Sequence, residues 1–165
     1  MLIGPVVGSF VIAASVLALR LYMTRPAEDQ LLADERVAIA TLQSPLPGNA
    51  ALACPPDYCA VAEALPSPVF AVGWEKLLED WAGIVGREPR VVAVASDPAQ
   101  RRYNAIQHSL VFGFPDIVTF EFVPLGPDRS SIAIYSRARY GRSDFGVNRR
   151  RVLTWLGQLQ AIAPQ

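Results

Sequence analysis

RVVAVASDPAQRRYNAIQHSLVFGFPDIVTFEFVPLGPDRSSIAIYSR, residues 90–137, is the stretch on which the fold of this chain turns. It holds four runs rich in β-branched and aromatic residues, at 90–95, 101–112, 117–123 and 130–137. Asp97-Pro98, Pro115-Asp116 and Gly126-Pro127-Asp128 separate them with turn chemistry. Connections this short favour an antiparallel meander, because parallel strands need a long crossover. Alternation places Val118, Phe120 and Phe122 on one face of the third run, and Ile132 and Ile134 together on the fourth.

Two helices flank these strands. Upstream, Trp74, Leu77, Leu78, Trp81, Ile84 and Val85 follow helical spacing opposite Glu75, Lys76, Glu79 and Asp80, and Gly86 and Pro89 stop the helix. Downstream, Val152, Trp155, Leu156, Leu159 and Ile162 form a second apolar stripe. Both stripes need a partner, and one sheet face supplies it. The expectation is an α+β domain over residues 54–165: a curved antiparallel sheet of about four strands, packed by two helices on one face. Residues 24–53 read as a juxtamembrane stalk or linker, and 43–68, rich in Pro, Ala and Gly, as linker or extended wrapping segment.

The N-terminus sets a different expectation. Residues 2–19 carry no charged side chain, and eighteen helical residues rise about 27 Å, close to a bilayer core of about 30 Å. Arg20, Tyr22 and Arg25 follow as interfacial anchors. No Lys or Arg precedes the run and no small-residue cleavage site follows it, so residues 1–23 read as an uncleaved transmembrane anchor rather than a cleaved signal.

Composition narrows the chemistry. A chain of 165 residues fits one domain, and 15 Lys+Arg against 15 Asp+Glu produces no field directed at nucleic acid. A single histidine, His108, excludes multi-histidine metal sites, and no cofactor is expected. Cys54 and Cys59 form a C-x4-C pair, neither a zinc set nor the redox C-x-x-C spacing. A disulfide closing that Pro-rich loop is the preferred reading, with free buried thiols as the alternative.

The remaining polar signal lies at residues 136–151. Asp144 or Ser143 can cap the last helix, and Gly141 and Gly146 permit backbone conformations closed to other residues. Arg137 and Arg139 are two apart on a strand, while Asn148 and Arg151 are three apart on a helix. Arg137, Arg139, Arg142, Asp144, Asn148 and Arg151 are therefore candidates for an anion site at the helix N-terminus. The competing reading is a cap and a turn whose arginines pair with Asp144 or Glu121 or lie in solvent. His108 shares parity with Ile106, Leu110 and Phe112 and reads as a satisfied border histidine more than a general base. A Ser136/His108/Asp116 triad has no nucleophile elbow to support it.

Residues 136–151, SRARYGRSDFGVNRRR, resemble the signature of the domain of unknown function 1499 family, roughly S-x-S-R-x-G-x-S-D-L-G-x-N-R-x-R. Tyr103 to Phe122 is similar to that family's paired strands, whereas Ile117 and Thr119 stand where acidic residues are often found. The resemblance implies a bacterial or plastid protein, often membrane-associated, with no established reaction. Arg20 and Arg25 alone favour a cytoplasmic domain. The cysteine pair and the family's habit favour an extracytoplasmic domain on the inner membrane, which is the expectation.

Function is expected to be non-catalytic: a membrane-anchored envelope module that binds an anionic or lipid ligand or serves as a scaffold, with no nucleic-acid partner. The alternative is a hydrolase or transferase acting on an anionic substrate at the Arg/Asn corner. A further possibility is a protein-binding polar sheet face around Gln107, Glu121 and Tyr135.

Overall fold

The structure, a computed structural model, describes residues 37–165. Its strands are β1 (Ala50–Cys54), β2 (Leu65–Pro66), β3 (Val69–Phe70), β4 (Val91–Asp97), β5 (Arg102–His108), β6 (Pro115–Gly126) and β7 (Arg129–Ala138). Its helices are α1 (Trp74–Val85) and α2 (Val147–Ile162). They form one seven-stranded mixed sheet in the order β2-β1-β7-β6-β5-β4, with β3 pairing the other end of β7. The expected four-stranded sheet is thus corrected: β4 to β7 form the antiparallel meander, and three further strands extend it. β1 runs antiparallel to β7, and β2 is parallel to β1. The anchor expected at residues 1–23 lies outside the described residues, and among those described no helix is long and apolar enough to cross a membrane.

Why the sheet grows beyond the meander is physical. β7 is 10 residues long, and a meander alone would leave its outer edge with a row of unpaired backbone groups. β1 pairs Ala50–Ala53 with Ile134–Arg137, and β3 pairs Val69 and Phe70 with Ser131 and Ser130. Alanines dominate β1, so its sequence carries no β-branched alternation. Only the waiting edge recruits it.

One sheet face carries both helices. Phe120, Phe122, Ile132 and Ile134 meet Leu77, Trp81 and Val85 of α1 and Val152, Trp155 and Leu159 of α2 in one core. Trp81 lies 4.6 Å from Phe120 and 5.6 Å from Trp155 between ring centroids, edge-on or tilted, as aromatic quadrupoles prefer. Each large side chain fully buried there contributes about 1.5–3 kcal/mol. Lys76 reaches Asp80 at 2.6 Å on the exposed face of α1. Ile162, expected in the stripe of α2, is exposed, and Ala163 is buried in its place as the chain turns so that the Pro164 carbonyl accepts the Ala71 N–H.

The other face is covered by residues 37–64. Ile39, Leu52, Cys54, Val61, Ala133 and Tyr135 form a second core there. Burial on both faces explains why β6 is buried continuously from Pro115 to Phe122. The folded domain thus extends back into the segment read as stalk or linker. Glu121 fastens this cover: it accepts hydrogen bonds from the Ile39 N–H at 3.2 Å and the Tyr58 hydroxyl at 2.9 Å and pairs with Arg102 at 2.6 Å. Cys54 and Cys59 are joined in a disulfide that closes the loop between β1 and β2.

Candidate functional site

Helix α2 begins on a hydrogen-bonded polar turn, and that turn organises the corner where β7 meets it. Gly146 adopts φ 77°, which favours glycine, and lets the chain enter α2 directly behind Asp144. The Asp144 carboxylate accepts the Gly146 N–H at 3.0 Å and the Asn148 N–H at 2.6 Å, satisfying donors that an α-helix leaves open. Burial works to raise the Asp144 pKa, but these backbone donors outweigh it and hold the carboxyl below the usual range. Ser143 accepts from Phe145 N at 3.3 Å.

Arg151, one turn into α2, is buried, and all three of its guanidinium nitrogens are bonded. Its guanidinium donates to Asp116 Oδ2 at 2.6 Å, Gln107 Oε1 at 2.5 Å, Ser136 Oγ at 2.8 Å and the Asn148 side-chain carbonyl. Ser136 in turn donates to Asn148 Oδ1 at 2.6 Å. Burial pushes the Asp116 carboxyl up, opposed by the adjacent Arg151 charge. Asp116, Ser136 and Gln107 reach this point because strand pairing sets Asp116 opposite Gln107 and Ser136 opposite Val118, all on the helix-facing side. The Asn148 amide donates to the Asn49 carbonyl at 3.0 Å, and the Asn49 amide donates to the Gly141 carbonyl at 2.8 Å. The corner is a closed circuit of donors and acceptors.

Of the six anion-site candidates, the structure brings Asp144, Asn148 and Arg151 together and leaves the others apart. Arg137 pairs with Ile117 on the opposite sheet face and lies 5.0 Å over the Tyr135 ring. Arg139 and Arg142 are exposed in the loop after β7. Chemically, the buried part of the motif does what a buried ion pair with satisfied hydrogen bonds does: it fixes one packing of α2 on the sheet.

The triad does not assemble, because Ser136 and Asp116 face the helices while His108 faces the other side with Ile106. His108 Nδ1 lies 3.0 Å from the Gly113 carbonyl, which can only accept, so that nitrogen carries the proton. β5 ends at His108 rather than continuing to Phe112, because residues 109–114 close a turn with Ser109 accepting from Gly113 and Phe114. The suggested polar face also dissolves: Gln107 faces the helices, and Glu121 and Tyr135 are buried under residues 37–64. Among the described residues no cluster of His, Cys, Asp and Glu is suited to a metal ion.

Asn49, Gln107, Asp116 and Ser136 complete the circuit, and none of the four is among the six anion-site candidates. Gln107 and Asp116 carried a signal, a polar pair at facing positions of adjoining runs, whereas Asn49 is local to a loop and carried none.

A second feature is concave. Leu78, Trp81, Ala82 and Val85 of α1 face Val91 of β4, Tyr103 and Ala105 of β5 and Phe120 of β6 across a cleft of about 410 Å³. Ser96 is its polar member, Asn104 borders it while its side-chain carbonyl accepts from Thr119 Oγ1 at 2.9 Å on the opposite sheet face, and β4 is irregular beside it, with a register shift between Ala93 and Ala95.

No curated protein matches the sequence. Among solved structures, a START superfamily protein from Mycobacterium smegmatis is 13% identical with a TM-score of 0.39, over 56% of this chain and 90% of that one. TTHA0849 from Thermus thermophilus is 12% identical with a TM-score of 0.30, over 68% of this chain and 88% of that one. The family described as Protein of unknown function (DUF1499) matches residues 62–159, which run from just before β2 into α2 and contain the whole 136–151 motif. The chain belongs to the DUF1499 family.

Proposed function

We propose that this domain is a non-catalytic binding module for a small, largely apolar ligand, held in the cleft between α1 and strands β4 and β5. The observation that carries the reading is the cleft itself. Its volume of about 410 Å³ falls in the range of about 300–1,000 Å³ typical of small-molecule sites, and aromatic and aliphatic side chains dominate its lining. Ser96, paired in register with Tyr103, suits it to a ligand with one polar end. The Arg151 corner is already filled from within the protein, where all three guanidinium nitrogens have acceptors. The disulfide supports placing the domain on the extracytoplasmic side, where such bonds persist.

Trp81 lines the cleft and serves as its reporter. Titration with a long-chain fatty acid is expected to change tryptophan emission saturably. Ala82→Phe, at an exposed helical position on the rim, is expected to abolish that change while leaving the fold intact. Equal binding by Ala82→Phe and the parent protein would remove the cleft from consideration.

A further inference from the structure

At the end of the sheet where β5 and β7 finish, two loops lie side by side and display apolar side chains to solvent. In the first, Leu110 is 70% exposed, Val111 59% and Phe112 43%. In the second, Phe145 is 89% exposed. Ring contacts link the loops: Phe112 stacks on Phe114 at 5.4 Å, and Phe114 meets Tyr140 in a tilted pair at 6.3 Å, between ring centroids. Apolar side chains this exposed and this close together mark an interaction surface rather than scattered surface residues.

Local structure holds both loops in place. The first is closed by the Ser109 N–H to the Phe114 carbonyl at 2.9 Å and by the Phe114 N–H to Ser109 Oγ at 2.9 Å. Phe145 sits at φ 54°, an uncommon conformation for a bulky side chain, and its carbonyl accepts from Arg150 at 3.2 Å. A strained, hydrogen-bonded backbone that aims an aromatic ring at water is the kind of outlier that accompanies function.

Charge identifies the occupant. Arg142 and Arg150 are exposed around the second loop, and Arg90, anchored by its Nε to the His108 carbonyl at 3.0 Å, flanks the first. The one carboxylate in residues 139–150, Asp144, is occupied by backbone donors, and Asp116 is buried against Arg151. We propose that this end of the domain docks on an anionic lipid bilayer, with Leu110, Val111, Phe112 and Phe145 entering the interface and Arg90, Arg142 and Arg150 meeting the headgroups. Exposed apolar residues at the tip with cations behind them match a surface whose anionic layer overlies hydrocarbon. The cleft lies elsewhere, between α1 and β4–β5, so this proposal stands independently of ligand binding.

The test uses the full chain carrying Leu110→Cys, labelled with an environment-sensitive fluorophore; Cys54 and Cys59 are bonded to each other and do not react. A second sample carries the label at Asp128→Cys, in the exposed turn between β6 and β7. The label reads the loop itself, so attachment of the chain through any other segment does not count as a response. With phosphatidylcholine vesicles containing phosphatidylglycerol, the label at position 110 is expected to shift to the blue and to be quenched by spin-labelled acyl chains, while the label at 128 stays aqueous. Arg90→Gln with Arg142→Gln is expected to raise the lipid concentration for half-response by about 25-fold, about fivefold for each arginine. The proposal is overturned if the position-110 label stays aqueous, responds equally to phosphatidylcholine alone, or ignores the arginine substitutions. Shielding by an acidic polypeptide but never by vesicles would overturn it in favour of a protein partner.

Discussion

Replacing Arg151 with Met tests whether the 136–151 motif is a structural device or a binding site. The substitution preserves the apolar stem but removes four donated hydrogen bonds, leaving the Asp116 carboxylate and Gln107 Oε1 buried without their donor. Breaking a buried pair by removing one partner costs about 3–5 kcal/mol. At an m-value of about 2 kcal/mol/M, the urea midpoint should fall by about 2 M. The double variant Arg151→Met/Asp116→Leu removes both charges, and Ser136 and Asn148 still bond each other, so most of the loss should return. The pH dependence has a definite sign. Burial already raises the Asp116 pKa above 3.8 against the opposing Arg151 charge, and Arg151→Met removes that opposition. A raised carboxyl pKa favours folding at low pH and loses that contribution as pH rises through the folded value. Arg151→Met should therefore be less destabilising near pH 4 than at pH 7, where the orphaned carboxylate must ionise or remain protonated at a cost. An Arg151→Met protein as stable as the parent, or more stable, would refute the reasoning, because removing an unsatisfied binding-site charge relieves strain rather than creating it.

Two further predictions follow from single residues. Asp144→Ala should cost about 1 kcal/mol by freeing the Gly146 and Asn148 N–H groups. Because the Asp144 pKa is lowered, its contribution is present above 3.8 and disappears as pH falls through the folded value, so thermal melts of parent and variant should converge in acid. Tyr58 is pushed from 10.0 up to about 12, first by burial and then by its hydrogen bond to Glu121. Its stabilisation is complete below pH 10 and lost through about 12, and ultraviolet titration at constant fold should show one phenol, absent in Tyr58→Phe, ionising late.

The same corner shows which parts of the site a sequence can express. Capping is local: Asp144, Gly146 and Asn148 lie within five positions, and their spacing announces a helix start. The pairing of Arg151 with Asp116 spans 35 positions and exists only because register brings β6 and β7 beneath α2. Motif reading therefore collected arginines that share a stretch of chain, whereas the fold sorts Arg137 to one sheet face and Arg151 to the other.

The fold divides along the same line. Helical spacing from Trp74 to Val85 and alternation through β5, β6 and β7 are written in consecutive side chains, because each element's own geometry dictates its period. Membership of β1, β2 and β3 is not written there. Ala-Ala-Leu-Ala-Cys becomes a strand because β7 offers an open edge, and residues 37–64 become a cover because an apolar second face awaits them. The sequence by itself determined the meander and the two helices that cover one of its faces. Tertiary structure alone decided how far the sheet extends, what closes its second face and where the charge of Arg151 is spent, since each depends on groups distant in the chain that meet only after the meander has formed.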